Sequence, residues 1–171
     1  MSEHGDKITF KGGPLTLVGD EVKVGQPAPD FTVAGNDLSP VSLSSYRGKV
    51  TIISSVPSLD TPVCDTQTRR FNEEASALGD GVAVLTVSVD LPFAQSRWCG
   101  AAGVENVTTV SDYKDRTFGT TYGLHIKELG LLARAVIVVD KDGVVQHSQL
   151  VKEVTEEPDY AAVLAAAKSA L

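Results

Sequence analysis

Two runs rich in β-branched residues, Val50–Val56 and Val82–Val89, dominate the hydropathy pattern. Neither shows the strict apolar–polar alternation of a half-solvated strand, so both predict strands buried on two faces. Between them Phe71, Ala75 and Leu78 recur at i, i+4 and i+7, which predicts a helix over Pro62–Leu78 stopped by Gly79. A strand–helix–strand unit of this kind predicts a parallel pair with a right-handed crossover. Its helix begins at the carboxyl end of the first strand, where open α/β sheets bind ligands.

The remaining pattern fills in around that unit. Lys7–Phe10 and Leu15–Val18 flank Lys11-Gly12-Gly13-Pro14 and predict a small N-terminal hairpin. A Pro-rich entry, Val24–Phe31, leads to a strand at Thr32-Val33, and turns are expected at Asn36-Asp37 and Ser39-Pro40. Phe93–Ala102 predicts a short helix, Val107–Val110 a short strand, and Asp112–Tyr122 a helical patch. Glu128–Leu132 is expected as a loop. Arg134–Asp140 and Val144–Val151 are β runs joined by Lys141-Asp142-Gly143, a strong hairpin signal. Pro158–Leu171 is an Ala-rich amphipathic helix with Tyr160, Val163, Leu164 and Ala167 as its stripe. Strands and helices in this order predict an α/β sandwich with a mixed sheet, and 171 residues are most simply one domain.

Charge narrows the partners. The net charge is −7, from 22 acidic and 15 basic residues, with Arg69-Arg70 the only adjacent basic pair. That disfavours nucleic acid or an anionic membrane as the main partner. Met1–Gly13 is polar and lacks the apolar core of a signal peptide, and no apolar run is long enough for a bilayer, so a cytoplasmic protein is expected. The three histidines, His4, His125 and His147, show no ligand spacing; neither metal nor cofactor is expected.

Two cysteines remain, Cys64 and Cys99, too far apart for a C-x-x-C pair. Thr61 is an N-cap candidate, Pro62 suits the first helical position, and Cys64 then falls in the first turn. Unpaired N–H groups and the helix dipole favour thiolate over thiol at such places. Position alone leaves two readings open, because buried cysteines also serve as small hydrophobes.

Further motifs decide between them. Pro57, Thr61 and Cys64 spell P-x-x-x-T-x-x-C, which resembles the peroxidatic motif of the peroxiredoxins. Leu91–Gly100, containing Cys99, resembles the resolving-cysteine helix of the bacterial thiol peroxidase subgroup. Ala133-Arg134-Ala135 is similar to the family's active-site arginine segment, and the likeness spans nearly the whole chain. The resemblance implies a thioredoxin fold, a three-layer α/β/α sandwich with an added N-terminal hairpin at about residues 7–18, forming one peroxidase domain over residues 1–171. It implies that Cys64 attacks hydrogen peroxide or an alkyl hydroperoxide. Cys99 would then resolve the sulfenic acid as an intramolecular disulfide, thioredoxin would reduce that disulfide, and the protein would be a homodimer.

The chemistry asks for an ionised sulfur, an oriented O–O bond and a stabilised leaving oxygen. Thr61 Oγ can bond thiol or peroxide, although it also reads as a plain cap. Arg134 offers a fixed positive fork, although an arginine at a strand start also reads as a surface charge. The N–H groups of Val63 and Cys64 can complete the oxyanion contacts. Pro57 shapes and shields the loop, or merely ends the strand. Asp60 and Asp65 are expected to be solvated. Two other classes stay in view: a thioredoxin-like thiol–disulfide oxidoreductase, which lacks the adjacent second cysteine, and a non-catalytic thioredoxin-fold binding module.

Overall fold

A computed structural model describes residues 1–171. Strand β5 (Val50–Ser55), helix α1 (Pro62–Leu78) and strand β6 (Val82–Ser88) form the expected unit, with β5 and β6 parallel and Val50 paired to Val82. Helix α1 stops at Gly79, whose φ of 82° is unfavourable for residues with a Cβ. Strands β10 (Ala135–Val139) and β11 (Val145–Leu150) form the Asp-Gly hairpin, and helix α4 (Tyr160–Ala170) follows. Strand β10 lies antiparallel to β5, with Ala135 opposite Ser55.

The sheet is completed by β7 (Thr108–Ser111), β3 (Thr32–Ala34) and β4 (Pro40–Ser42), in the order β11-β10-β5-β6-β7-β3-β4. A short 3-10 turn, Leu43–Tyr46, follows β4. Period-2 alternation splits the core between two faces. Val50, Ile52, Val136 and Val138 point to one, where Phe71 and Ala75 of α1 and Val163 and Ala167 of α4 cover them. Ile53, Leu85, Val87 and Ile137 point to the other, against Phe118, Tyr122 and the hairpin residues Ile8 and Leu17. Truncating a residue such as Phe71, 1% exposed, to alanine would cost about 3–5 kcal/mol. The β5–α1–β6 and β10–β11–α4 halves on one mixed sheet make this a thioredoxin fold.

The N-terminal hairpin, β1 (Glu3–Phe10) and β2 (Gly13–Val18), is longer than its apolar pattern suggests. It also gains two partners, one in a segment for which no strand is expected and one inside the expected loop Glu128–Leu132. Strands β8 (His125–Ile126) and β9 (Leu131–Leu132) extend it into a second sheet of order β1-β2-β8-β9. Two-residue strands are too short to show periodicity.

The helical patch expected from Asp112 is also shorter. Helix α3 spans Thr117–Thr121, because Arg116 is left-handed at φ 57°. Asp112 still serves that helix: its carboxylate accepts from the N–H groups of Phe118 at 3.1 Å and Gly119 at 2.8 Å. Helix α2 (Pro92–Ala102) carries Cys99 and buries only Pro92 and Gln95 completely.

Candidate active site

Cys64 sits at the third position of α1 and is fully buried. The residues one turn on along the same face, Gln67 and Thr68, are buried too, so the apolar face of α1 carries a polar patch beside the thiol. Thr68 Oγ1 donates back to the Cys64 carbonyl at 2.8 Å. Pro62 supplies no N–H, and the N–H groups of Val63 and Cys64 have no acceptor in the protein. They mark the positive end of the helix.

Arg134 arrives from the neighbouring strand. Ala135 pairs with Ser55, and Ser55 Oγ donates to the Ala133 carbonyl at 2.8 Å, so Arg134 lies level with the end of β5, where the Cys64 loop begins. Its side chain is 2% exposed. Nη2 donates to Cys64 Sγ at 3.2 Å, Nη1 to Gln67 Oε1 at 2.9 Å and Nε to the Val154 carbonyl at 2.9 Å. Gln67 in turn donates to Ser54 Oγ at 2.7 Å. The ion pairs of the protein join Arg69 to Asp65 and Lys127 to Glu3, and the His4 ring lies beside Asp20; Arg134 has no carboxylate. Burying a guanidinium without a counter-charge costs several kcal/mol, and here it is met only by the Val154 carbonyl, Gln67 Oε1 and the Cys64 sulfur.

The other sequence candidates lie around this pair. Thr61 takes the N-cap position, but its hydroxyl donates to the Ser58 carbonyl at 2.8 Å and makes no cap bond. Pro57 is buried where the chain leaves β5. Cys99 is half-buried on α2, with Sγ 3.3 Å from Thr109 Oγ1, and both cysteines are free thiols.

Several functional neighbours escaped the sequence reading. Asp90, beyond β6, accepts from Ser58 Oγ at 2.7 Å, from the Leu59 N–H at 2.9 Å and from Ser88 Oγ at 2.7 Å, fixing the loop ahead of Cys64. Asp65, read as solvated, instead accepts from Trp98 Nε1 at 2.9 Å and Arg69 Nε at 2.8 Å. The residue after Cys64 therefore holds the residue before Cys99. Gln67 and Thr68 were legible as polar positions at i+3 and i+4 from Cys64 on a core-facing stripe. Asp90 and the Asp65–Trp98 contact are long-range and left no local signal.

The Redoxin family profile matches residues 23–164, which hold all seven strands of the main sheet, both cysteines and Arg134. The chain belongs to the Redoxin family. Among curated relatives, the thiol peroxidase of Bacillus subtilis (strain 168) is 60% identical over 163 residues, covering 95% of this chain and 97% of that protein. The thiol peroxidase of Halalkalibacterium halodurans is also 60% identical, over 164 residues, covering 96% and 98%. Among solved structures, a peroxiredoxin-like protein from Aquifex aeolicus superposes with a TM-score of 0.91 at 44% identity, covering 97% of this chain and 98% of that one. The likeness thus includes the N-terminal hairpin, which lies outside the Redoxin match.

Proposed function

We infer that this Redoxin protein is a thiol peroxidase that reduces hydrogen peroxide and alkyl hydroperoxides at Cys64. The observation that carries this reading is the buried Arg134 guanidinium. It lacks any carboxylate and donates to the Cys64 sulfur at a helix N-terminus. Positive charge on two sides stabilises an anionic sulfur, the reactive form of a cysteine.

The sulfur lone pair attacks the terminal peroxide oxygen. The S–O bond forms as the O–O bond breaks, and the leaving alkoxide or hydroxide takes a proton from water. Cys64 is oxidised by two electrons to the sulfenic acid. Arg134 and the free N–H groups of Val63 and Cys64 are the donors available for the oxygens. The Cys99 sulfur then attacks Cys64 Sγ: the S–S bond forms, the S–O bond breaks, and hydroxide leaves with the Cys99 proton as water. A thioredoxin-type dithiol returns two electrons and two protons by thiol–disulfide exchange. Pro57 shields the loop, and Thr61 borders the oxygen path.

No helix is long and apolar enough to cross a membrane. Reduction by a thioredoxin-type partner suits a reducing, cytoplasmic setting, and the family resemblance implies a homodimer, which sedimentation would test. The functional assay is thioredoxin-coupled turnover with hydrogen peroxide and alkyl hydroperoxides. Peroxide-dependent oxidation of thioredoxin is expected. Dithiol exchange without peroxide would point to an oxidoreductase, and neither activity to a binding module.

A further inference from the structure

The segment Val151–Glu157 runs between the N-terminal hairpin and the turn that bears Cys64. On its inner side the Val151 N–H donates to the Arg134 carbonyl at 2.9 Å, and the Val154 carbonyl accepts from Arg134 Nε at 2.9 Å. On its outer side it is tied to β1: the Thr9 N–H donates to the Lys152 carbonyl at 2.7 Å, and the Val154 N–H to the Thr9 carbonyl at 2.9 Å. Between these contacts the Glu153 carboxylate gathers four donors. Oε1 accepts from Thr9 Oγ1 at 3.0 Å and from the Gly12 N–H at 2.9 Å. Oε2 accepts from the Thr155 N–H at 2.9 Å and Thr155 Oγ1 at 2.7 Å. These bonds, Thr155 first, hold the Glu153 carboxyl down at about 2, so it stays ionised in use. Farther on, Thr155–Glu157 face Pro62, Val63 and Thr66 across a cleft of about 320 Å³ beside the first turn of α1.

We propose that Glu153 is a positioning residue for the peroxide step: it locks the 151–155 segment onto the hairpin so that the Val154 carbonyl aims the Arg134 guanidinium at Cys64. This rests on the reading of Arg134 as the cation that serves peroxide attack. The guanidinium is a rigid planar fork. With Nε held by Val154 and Nη1 by Gln67, only Nη2 is left for the sulfur, and a shift of the Val154 carbonyl turns the whole fork. A carboxylate suits the site because each oxygen takes one backbone N–H and one hydroxyl; an amide's NH2 would face a backbone N–H whichever way it turned. The added hairpin thereby becomes part of the reaction's support although no hairpin residue touches the sulfur.

A double-mutant cycle tests this. Single-turnover peroxide reduction is followed in Cys99→Ser protein alone and with Glu153→Ala, Arg134→Met or both, with folding checked by circular dichroism. Glu153→Ala is expected to slow the peroxide rate about tenfold or more while Arg134 is present, misplacement costs of that order being general. In the Arg134→Met protein the same change should alter the rate less than about twofold, because a residue acting through another couples to it. Equal slowing in both backgrounds, or none with Arg134 in place, would overturn the proposal. Arg134→Met alone leaving the rate unchanged would remove the arginine's role, and the proposal with it. Should Glu153→Ala fail to fold, Glu153→Gln carries the same criteria with a smaller expected factor, about threefold.

Discussion

Cys64 and Cys99 share a type and differ in setting, and their substitutions should separate accordingly. Cys64→Ser is expected to abolish peroxidase turnover. Cys99→Ser should still consume one peroxide per protein but lose recycling by thioredoxin; exchanged phenotypes would reverse the roles. Arg134→Met should slow peroxide attack by about 10²–10³-fold, the usual loss when a charge-stabilising donor is removed. Gln67→Leu should slow it less while destabilising the fold by about 1–3 kcal/mol, because it leaves Arg134 Nη1 and Ser54 Oγ without their partner. Stopped-flow rates and chemical denaturation measure the two effects. At this scale the sequence reveals chemistry that is local in the chain. Thr61, Pro62 and Cys64 signal a helix start by residue type alone. Arg134 carries no local sign of its orientation, since only the pairing of β10 with β5 brings it to the sulfur; the family resemblance alone points to it.

Helices α1 and α2 carry the two cysteines and are anchored unequally. Helix α1 buries Cys64, Gln67, Thr68, Phe71 and Ala75, whereas α2 buries only Pro92 and Gln95. A disulfide requires Cα atoms within about 7 Å. The cysteines sit on separate helices, so bonding is expected to loosen one of them, and the weaker anchoring selects α2. The clasp of Asp65, Arg69 and Trp98 must then part. Trp98 is the only tryptophan, so its fluorescence should change on oxidation. Amide exchange should also rise at 94–102, and less at 60–66. Equal protection and an unchanged spectrum in both redox forms would mean that no such switch exists. Helix α1 was legible to the residue, since an apolar stripe, Pro62 and Gly79 agree. Strands β8 and β9 were not, because their pairing with β2 rather than their composition defines them.

For the molecule as a whole, buried polar groups decide how it meets acid. Desolvation lowers the titration of both His125 and His147, helped at His125 by Arg116 and opposed at His147 by Asp159. His125 Nδ1 and His147 Nε2 are buried without partners. Both histidines therefore bind protons less readily folded than unfolded. Their contribution is present above the ordinary value of 6.5 and is lost as pH falls below it. Asp112 acts in the opposite sense, because desolvation raises its carboxyl. The melting temperature should fall between about pH 7 and pH 5, before most carboxylates protonate; a flat profile would contradict this. The two-faced sheet, the hairpin and the terminal helix were all legible in the hydropathy pattern, whereas the second sheet and the strap from Val151 to Glu157 depend on contacts distant in sequence. The central claim is that Cys64 takes oxygen from peroxide and hands its oxidation to Cys99. Intact-mass and peptide mass spectrometry after one equivalent of hydrogen peroxide tests it most directly. The account predicts a loss of two hydrogens with Cys64 joined to Cys99 in the unmodified protein, and one added oxygen on Cys64 in Cys99→Ser. Oxygen added first to Cys99, or two thiols left unchanged, would contradict it.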